Sequence, residues 1–217
     1  MAGGVMAGGV MAGGEMASGD TGQIGPGRLV VVVGPSGAGK DTLIAQARAQ
    51  LAHDPACVFP LRLITRAASP AEDHLTISEG DFARAVSNGD FAFWWEAHGL
   101  KYALPASIDD DIRAGSTVVC NVSRGIVSAL RLRYARLVVV LVTAPADVLA
   151  DRLATRSRAS DGDLAQRLGR GAPPPAEFAP DQVIENVGDI AGGAARLLAA
   201  ITGARPAPIP QVAADSL

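Results

Sequence analysis

Residues 28–40 read RLVVVVGPSGAGK, and this stretch decides the fold. Residues 28–33 predict an uninterrupted apolar strand of the kind that lies buried on both faces of a parallel sheet. The GPSGAGK that follows matches G-x-x-x-x-G-K, a loop whose backbone N–H groups surround a polyphosphate and whose lysine reaches the outer phosphates. The chain has only two lysines and 25 glycines, so chance produces such a match with a probability of about 0.03. The stretch therefore predicts a strand, a phosphate-binding loop and a helix.

The residue after the loop lysine departs from the motif. Asp41 stands where the motif has Ser or Thr to hold Mg²⁺, and two later predicted strands end in Asn121 and Thr143 rather than in an acid. We interpret Asp41 as a ligand of Mg²⁺, directly or through water. The alternative is an acid that complements the dipole of the helix N-terminus. The residues predicted to bind the donor's phosphates are Gly34, Pro35, Ser36, Gly37, Ala38, Gly39, Lys40, Asp41 and Thr42, with Lys40 also catalytic.

Short β-branched runs alternate with stretches of helical period along the rest of the chain. This order predicts an α/β fold of the P-loop NTPase type, with a parallel sheet core and helices on both faces. Residues 91–104, FAFWWEAHGLKYAL, predict a small β insertion. The predicted strands are 28–33, 61–65, 117–122, 137–143 and 182–184, and the predicted helices are 40–51, 78–88, 106–113, 123–134, 145–156, 161–170 and 188–202.

The two ends of the chain have compositions that do not build a core. Residues 1–26 begin with a five-residue repeat of Met, Ala and Gly, which buries too little surface to offset its ordering entropy, and we expect disorder there. Methionine recurs at positions 1, 6, 11 and 16, so the sequence does not show which of them is the translation start. Residues 204–217 contain three prolines and predict a flexible tail. The working domain is therefore expected at 27–203.

Charge and composition exclude several classes of partner. The net charge is −3, which gives no global electrostatic reason to bind nucleic acid. Cys57 and Cys120 lie in no CxxC or Cys/His cluster, which argues against a disulfide framework or a structural zinc site. No apolar run approaches the roughly 20 residues of a membrane span, and no secretory signal is indicated, so we expect a cytoplasmic protein without membrane contact.

Several segments together resemble the guanylate-kinase-like branch of the nucleoside monophosphate kinases. They are GPSGAGKD, ITR at 64–66, Glu72, the aromatic insertion ending at Tyr102, and RLATRSR at 152–158. Within that branch the GKD, ITR, EDH, HGLKY and NVSR segments most resemble the ribose 1,5-bisphosphate phosphokinase family of phosphonate degradation. The resemblance implies transfer of a phosphoryl group from ATP, with Mg²⁺, to ribose 1,5-bisphosphate, giving 5-phosphoribosyl 1-diphosphate (PRPP) and ADP.

The resemblance also implies roles for particular residues. An acceptor-binding insertion is expected at about 66–104, and an arginine-rich lid that closes over ATP at about 152–170. Guanylate kinases hold guanine through a Glu and a Ser whose places here are taken by Phe93 and Leu104, which cannot satisfy a base edge. The implied acceptor contacts are Arg66, Glu72, His74, Tyr102, Ser123 and Arg124, and the implied catalytic lid residues are Arg156 and Arg167.

Two other functions stay open at this point. The chain is a kinase for guanylate or another nucleoside monophosphate, or it is a guanylate-kinase-like module that has lost catalysis and binds a protein. The missing Ser or Thr after Lys40 favours the module, whereas the lysine itself and the lid arginines argue against it. The sequence does not reveal the oligomeric state.

Overall fold

The computed structural model describes residues 10–12, 22–67, 74–97, 99–156 and 178–203. Two sheets and six helices make up this part of the chain. The strands are β1 (Val10–Ala12), β2 (Arg28–Val33), β3 (Cys57–Val58), β4 (Arg62–Ile64), β5 (His74–Thr76), β6 (Phe91–Ala97), β7 (Leu100–Pro105), β8 (Thr117–Asn121), β9 (Leu137–Thr143) and β10 (Gln182–Glu185). The helices are α1 (Lys40–Gln50), α2 (Glu79–Asn88), α3 (Ser107–Arg113), α4 (Val127–Arg133), α5 (Ala146–Arg156) and α6 (Ile190–Thr202), and a 3-10 turn spans Arg124–Ile126.

The central sheet is parallel and has the strand order β10-β9-β2-β8-β3. Strand β2 lies in its middle, where Val31 pairs with Cys120 of β8 on one side and Val139 of β9 on the other. Residues 29–33 are fully buried, because helices or the second sheet cover each face of this strand. The predicted parallel α/β core is confirmed.

The two faces of the central sheet pack against different elements. Val30 and Val32 point into a cluster that contains Leu43 of α1 and Leu197 of α6. Odd-numbered residues of β2 point into a second cluster, to which α3, α4 and the second sheet contribute. Helix α1 therefore lies directly on the strand that precedes it, which fixes the loop between them at the carboxyl edge of the sheet.

The second sheet has the order β1-β6-β7-β4-β5, antiparallel except for the β4–β5 pair. The predicted β insertion is confirmed in β6 and β7, but residues 61–65 were expected among the parallel strands and instead contribute β4 to this sheet. The edge of the central sheet is formed by Cys57–Val58, which the sequence did not predict as a strand. A three-residue strand such as Arg62–Ile64 carries too little pattern to specify its partner, and here Leu63 pairs with Ala103 of β7. The insertion thus begins at β4, before residue 66.

The chain packs against the domain earlier than expected. The Ile24 amide donates to the Arg133 carbonyl at 2.8 Å, and the Gln23 side chain donates to the Arg131 carbonyl at 2.7 Å. Residues 10–12, which pair as β1 with β6, and residues 22–26, which bind the end of α4, therefore differ from the disorder expected for 1–26, because local composition does not reveal these partners. Residues 1–9, 13–21, 161–170 and 204–217, for which disorder, a helix and a tail were expected, lie outside the described residues. Across the described ranges, no helix combines the length and apolar character needed to cross a bilayer.

Candidate active site

The loop between β2 and α1 has the backbone geometry that its glycines permit. Gly34 and Gly39 have φ values of 147° and 89°, and Gly37 has a φ of 83°. A Cβ atom at Gly34 would collide with the carbonyl of Val142, and one at Gly39 would collide with the side-chain amide of Asn186. The close approach of neighbouring chain therefore requires glycine at both ends of the loop, in addition to the positive φ angles.

The loop lysine is held against the start of the loop. Lys40 begins α1, and its Nζ donates to the carbonyl oxygens of Gly34 and Pro35, each at 2.9 Å. These bonds place the ammonium group beside the backbone groups that would surround a phosphate chain. The role of Lys40 toward the phosphates stays a prediction.

Two residues outside the predicted site residues hold the loop in place. Asn186 follows β10, is buried, and donates from Nδ2 to the carbonyl of Ala38 at 2.7 Å. Arg152 of α5 donates to the Asn186 carbonyl at 3.0 Å and to the Gly37 carbonyl at 3.4 Å. The sequence placed Arg152 within a cluster of arginines, but no local pattern marks Asn186, which is 148 residues away from Ala38.

A cavity of about 400 Å³ lies beside the loop. This volume is within the range of cofactor and small-molecule sites. The cavity adjoins the phosphate-binding loop and the first turn of α1, and α5 and the start of α6 form its other walls. Its lining residues are Gly37, Gly39, Thr42, Asp151, Arg152, Asn186 and Ile190. The space suits the nucleoside half of a nucleotide whose phosphates lie in the loop.

The acid after the lysine has two partners. Asn121, at the end of β8, donates from Nδ2 to Oδ1 of Asp41 at 2.7 Å. The Arg62 guanidinium of β4 lies 3.8 Å from the same oxygen, and the Asp41 side chain is 34% exposed. Asp41 therefore stands where the central sheet, α1 and the second sheet meet.

The same site fits a magnesium ion in its donor chemistry. Mg²⁺ prefers oxygen ligands and usually takes one or two carboxylates together with substrate phosphates and waters. Asp41 supplies a carboxylate beside the loop, and Thr42 lines the adjoining cavity. Within the described ranges no group of three or more His, Cys, Asp and Glu residues forms a metal cage. An ion here would depend on the phosphates of the nucleotide for most of its ligands.

Three of the predicted acceptor residues, Arg66, His74 and Tyr102, lie on the second sheet or next to it. Arg66 is half-buried just beyond the end of β4, and His74 is the register partner of Arg62 across the β4–β5 pair. Tyr102 pairs with Ile64 of β4. Across the β6–β7 pair, Tyr102 stacks on Trp95, with ring centroids 5.5 Å apart and ring planes 9° apart. Register partners project from the same face of a sheet, so one face carries both cationic and aromatic side chains.

Phe93 and Leu104 are register partners across β6 and β7, and both are fully buried in the core cluster on that side of the central sheet. Their side chains offer neither donors nor acceptors. A guanine edge placed against them would leave its polar groups unpaired, at a cost of about 1 to 3 kcal/mol for each group.

Other predicted site residues fall in different places. Ser123 and Arg124 are half-buried beyond the carboxyl end of β8, where Arg124 begins the 3-10 turn. Arg156 is the last residue of α5, and its side chain is outside the described part of the structure. Glu72 and Arg167 lie outside the described residues altogether.

Comparison with known proteins gives several close relatives. The chain is 56% identical over 185 residues to the ribose 1,5-bisphosphate phosphokinase PhnN of Rhodopseudomonas palustris, an alignment that covers 85% of this chain and 93% of that protein. It is 58% identical over 151 residues to the protein of the same name from Bradyrhizobium diazoefficiens, covering 70% and 76% of the two chains. The protein of that name from Pseudofrankia inefficax is 47% identical over 192 residues, covering 87% and 98%. No protein-family model matches the chain.

A solved structure shares the fold. The crystal structure of guanylate kinase from Anaplasma phagocytophilum superposes with a TM-score of 0.60 and 21% sequence identity, covering 82% of this chain and 85% of that one. The similarity confirms the predicted guanylate-kinase-like architecture.

Proposed function

The chain belongs to the ribose 1,5-bisphosphate phosphokinase family, and from this membership we propose that it transfers the γ-phosphoryl group of ATP to ribose 1,5-bisphosphate. The products are PRPP and ADP. The observation that carries the proposal is the contact between Asp41, beside the phosphate-binding loop, and Arg62, on the second sheet. It joins the phosphate-binding loop and the second sheet, the elements proposed here to hold the donor and the acceptor, at one edge of the central sheet. A place in phosphonate degradation stays a prediction from the sequence.

The donor half of the reaction rests on the loop and its braces. Backbone N–H groups of residues 34–40 would surround the phosphates of ATP, with the Lys40 ammonium neutralising the charge of the outer phosphates. Magnesium would neutralise further phosphate charge, and Asp41 is the carboxylate that would hold it, oriented by Asn121. The cavity that Arg152 and Ile190 line would take the nucleoside.

The acceptor half needs positioning rather than a base. A phosphate monoester is already anionic near neutral pH, so its oxygen attacks without losing a proton to the protein. Arg66 is suited to bind the reacting phosphate through bidentate hydrogen bonds, because a guanidinium matches the geometry of phosphate oxygens. Tyr102 and His74 lie on the same sheet and would assist that hold, with Glu72, Ser123 and Arg124 as further predicted contacts.

Closure over ATP is assigned to the arginine-rich segment that starts in α5. Arg152 already contacts the loop, and α5 continues from it to Arg156. Arg156 and Arg167 are proposed to stabilise the charge on the transferring phosphoryl group, and closure would keep water from hydrolysing ATP.

Phosphorus NMR of the purified protein with Mg²⁺ and ATP tests this function, with ribose 1,5-bisphosphate and GMP as competing acceptors. We expect the diphosphate resonances of PRPP to appear together with ADP from the sugar, and no GDP. A Lys40→Met variant is the control and should be about 100- to 1000-fold slower. Formation of GDP alone contradicts the assignment of the acceptor. Turnover of neither acceptor contradicts the kinase function and favours a binding module.

A further inference from the structure

Arg62 is a nearly buried cation on the second sheet and is not among the residues predicted from the sequence. It begins β4, and its side chain is only 13% exposed. Its register partner in β5 is His74, and it lies two residues before Ile64, which pairs with Tyr102. Because side chains two residues apart on a strand share a face, Arg62 lies on the same face as Tyr102 and His74.

The Arg62 charge also lies deep, against the end of the central sheet. Burial raises the pKa of the Cys120 thiol to about 12, and the neighbouring Arg62 charge acts in the opposite direction on that pKa. Cys120 belongs to β8 and is 2% exposed. The nearly buried Arg62 guanidinium thus lies close to β8 of the central sheet as well as on the second sheet.

The contact between Arg62 and Asp41 leaves hydrogen-bonding capacity on the guanidinium. At 3.8 Å the two groups form an ion pair, but the separation is too long for a hydrogen bond. The Oδ1 atom of Asp41 already accepts from Asn121 at 2.7 Å. A guanidinium carries five N–H donors, and withdrawing it from water is costly unless acceptors replace the lost water. An anion bound beside the guanidinium would supply such acceptors.

The acceptor of the proposed reaction carries two phosphates. Arg66 and Tyr102 are assigned to the phosphate that reacts, and the other phosphate, at the far end of the sugar, needs a cation of its own. Arg62 lies four residues from Arg66, at most about 13 Å along an extended strand, with the Ile64–Tyr102 pair between them. Two arginines that flank one tyrosine match a short molecule with an anion at each end.

We propose that Arg62 binds the 5-phosphate of ribose 1,5-bisphosphate, the phosphate that is not phosphorylated, and thereby selects a bisphosphate over a nucleotide. Asp41 keeps the guanidinium in place before the acceptor enters. The apolar side chains of Phe93 and Leu104 provide no hydrogen-bonding groups for a base. The acceptor is therefore recognised through its second phosphate instead of through a base edge. This subsite rests on the proposed function and adds a specificity-determining residue to it.

Competitive inhibition separates the two phosphates. Ribose 5-phosphate carries only the phosphate assigned to Arg62, and ribose 1-phosphate carries only the one that reacts. In Arg62→Gln we expect the inhibition constant of ribose 5-phosphate, measured against ribose 1,5-bisphosphate, to rise about 10- to 100-fold. The inhibition constant of ribose 1-phosphate and the KM for ATP should change by less than about 3-fold. Arg84→Gln, an exposed arginine on α2, is the matched control and should change neither constant.

The outcomes distinguish this subsite from the function on which it rests. Failure of the wild-type protein to phosphorylate ribose 1,5-bisphosphate would refute the proposed function before any variant is made. If the inhibition constants of ribose 5-phosphate and ribose 1-phosphate rose equally in Arg62→Gln, the subsite would be refuted, and Arg62 would instead contact the reacting phosphate. If the KM for ATP rose together with the inhibition constant of ribose 5-phosphate, the subsite would also be refuted, and Arg62 would instead act through Asp41. Absence of inhibition by ribose 5-phosphate in the wild type would also overturn it. Arg62→Lys keeps the positive charge, so its affinity for ribose 5-phosphate should fall less than that of Arg62→Gln. If Arg62→Gln does not fold, Arg62→Lys takes its place in the experiment.

Discussion

Asn121 donates a hydrogen bond from its side-chain amide to Oδ1 of Asp41 across 2.7 Å, and this contact joins two of the positions where the chain departs from the usual P-loop pattern. In P-loop NTPases a Ser or Thr after the lysine and an Asp at a strand end hold Mg²⁺ together. Here the carboxylate is on the helix and the neutral hydrogen-bonding group is on the strand. The two departures are therefore in contact, and we propose that each compensates for the other.

Exchanging the two side-chain types tests this compensation. Asp41→Ser removes the carboxylate, and Asn121→Asp places two carboxylates against each other, so each single variant should lower kcat by about 10- to 100-fold. The double variant, Asp41→Ser with Asn121→Asp, restores one carboxylate and one hydroxyl and should recover most of the loss. The measurement is the initial rate as a function of Mg²⁺ concentration.

Asp41→Ala supplies the control for the metal role. If the rate of this variant depends on Mg²⁺ as it does in the wild type, Asp41 does not serve the metal and acts only at the helix N-terminus or on Arg62. Additive losses in the double variant would show that the two positions do not compensate for each other.

Arg152 is expected to matter chiefly for the donor nucleotide. Its guanidinium bonds to the carbonyls of Gly37 and Asn186 and lines the cavity beside the loop. Arg152→Ala should raise the KM for ATP about 10-fold with a smaller effect on the KM for the acceptor, because the loop and the nucleoside wall lose a shared support. Arg131→Ala is a matched control, since Arg131 also bonds to a backbone carbonyl, that of Ala179, but on α4. A KM for ATP that is unchanged in Arg152→Ala would contradict this role.

Asn186 is expected to contribute to stability as well as to loop shape. Its buried amide donates to the Ala38 carbonyl, so Asn186→Ala leaves a polar group without its partner and should lower the free energy of unfolding by about 1 to 3 kcal/mol. Urea denaturation measures the change. Asn88→Ala, at an exposed position at the end of α2, should change it by less than about 0.5 kcal/mol. A similar small effect for Asn186→Ala would mean that water replaces the lost bond.

Arg156 is predicted to act in the transition state. If it stabilises the transferring phosphoryl group, Arg156→Ala should lower kcat by about 100-fold or more and leave both KM values close to those of the wild type. Steady-state kinetics in ATP and in the acceptor separate these parameters. Arg113→Ala, an exposed arginine of α3 paired with Asp110, serves as the control. A change confined to KM would refute the transition-state role.

The features that the sequence predicted correctly are those with local causes. An unbroken apolar run predicts β2 because only a strand covered on both faces uses it, and the glycine spacing of residues 34–39 determines the loop that follows. The β insertion was predicted from its aromatic content. In each case the information lies within a continuous stretch of at most 14 residues, and the structure agrees with it.

The features that the sequence missed depend on chain that approaches from a distance. Asn186 reaches the loop from the end of β10, and Arg62 reaches Asp41 from a strand that was expected in the other sheet. Neither residue has a spacing or a neighbour that marks it, since an Asn after a strand and an Arg at the start of one are common. Their roles follow only from the tertiary structure, which brings both residues to the same edge of the central sheet.

Alkaline pH is expected to destabilise the fold through two buried acids. Burial raises the pKa of Tyr134, whose hydroxyl donates to Oδ1 of Asp109 at 2.6 Å, and burial raises the pKa of Cys120 to about 12. Unfolding restores ordinary pKa values of about 8.5 for cysteine and about 10 for tyrosine. Between the unfolded and folded pKa values the native state binds more protons, so the free energy of unfolding falls as pH rises, by at most about 1.4 kcal/mol per pH unit for each group.

The free energy of unfolding should be nearly constant below about pH 8 and fall most steeply above about pH 10, where both groups contribute. Urea denaturation at pH 8, 9, 10 and 10.5 measures this slope, which Tyr134→Phe and Cys120→Ala should each reduce. A slope that neither substitution changes would assign the alkaline transition to other groups.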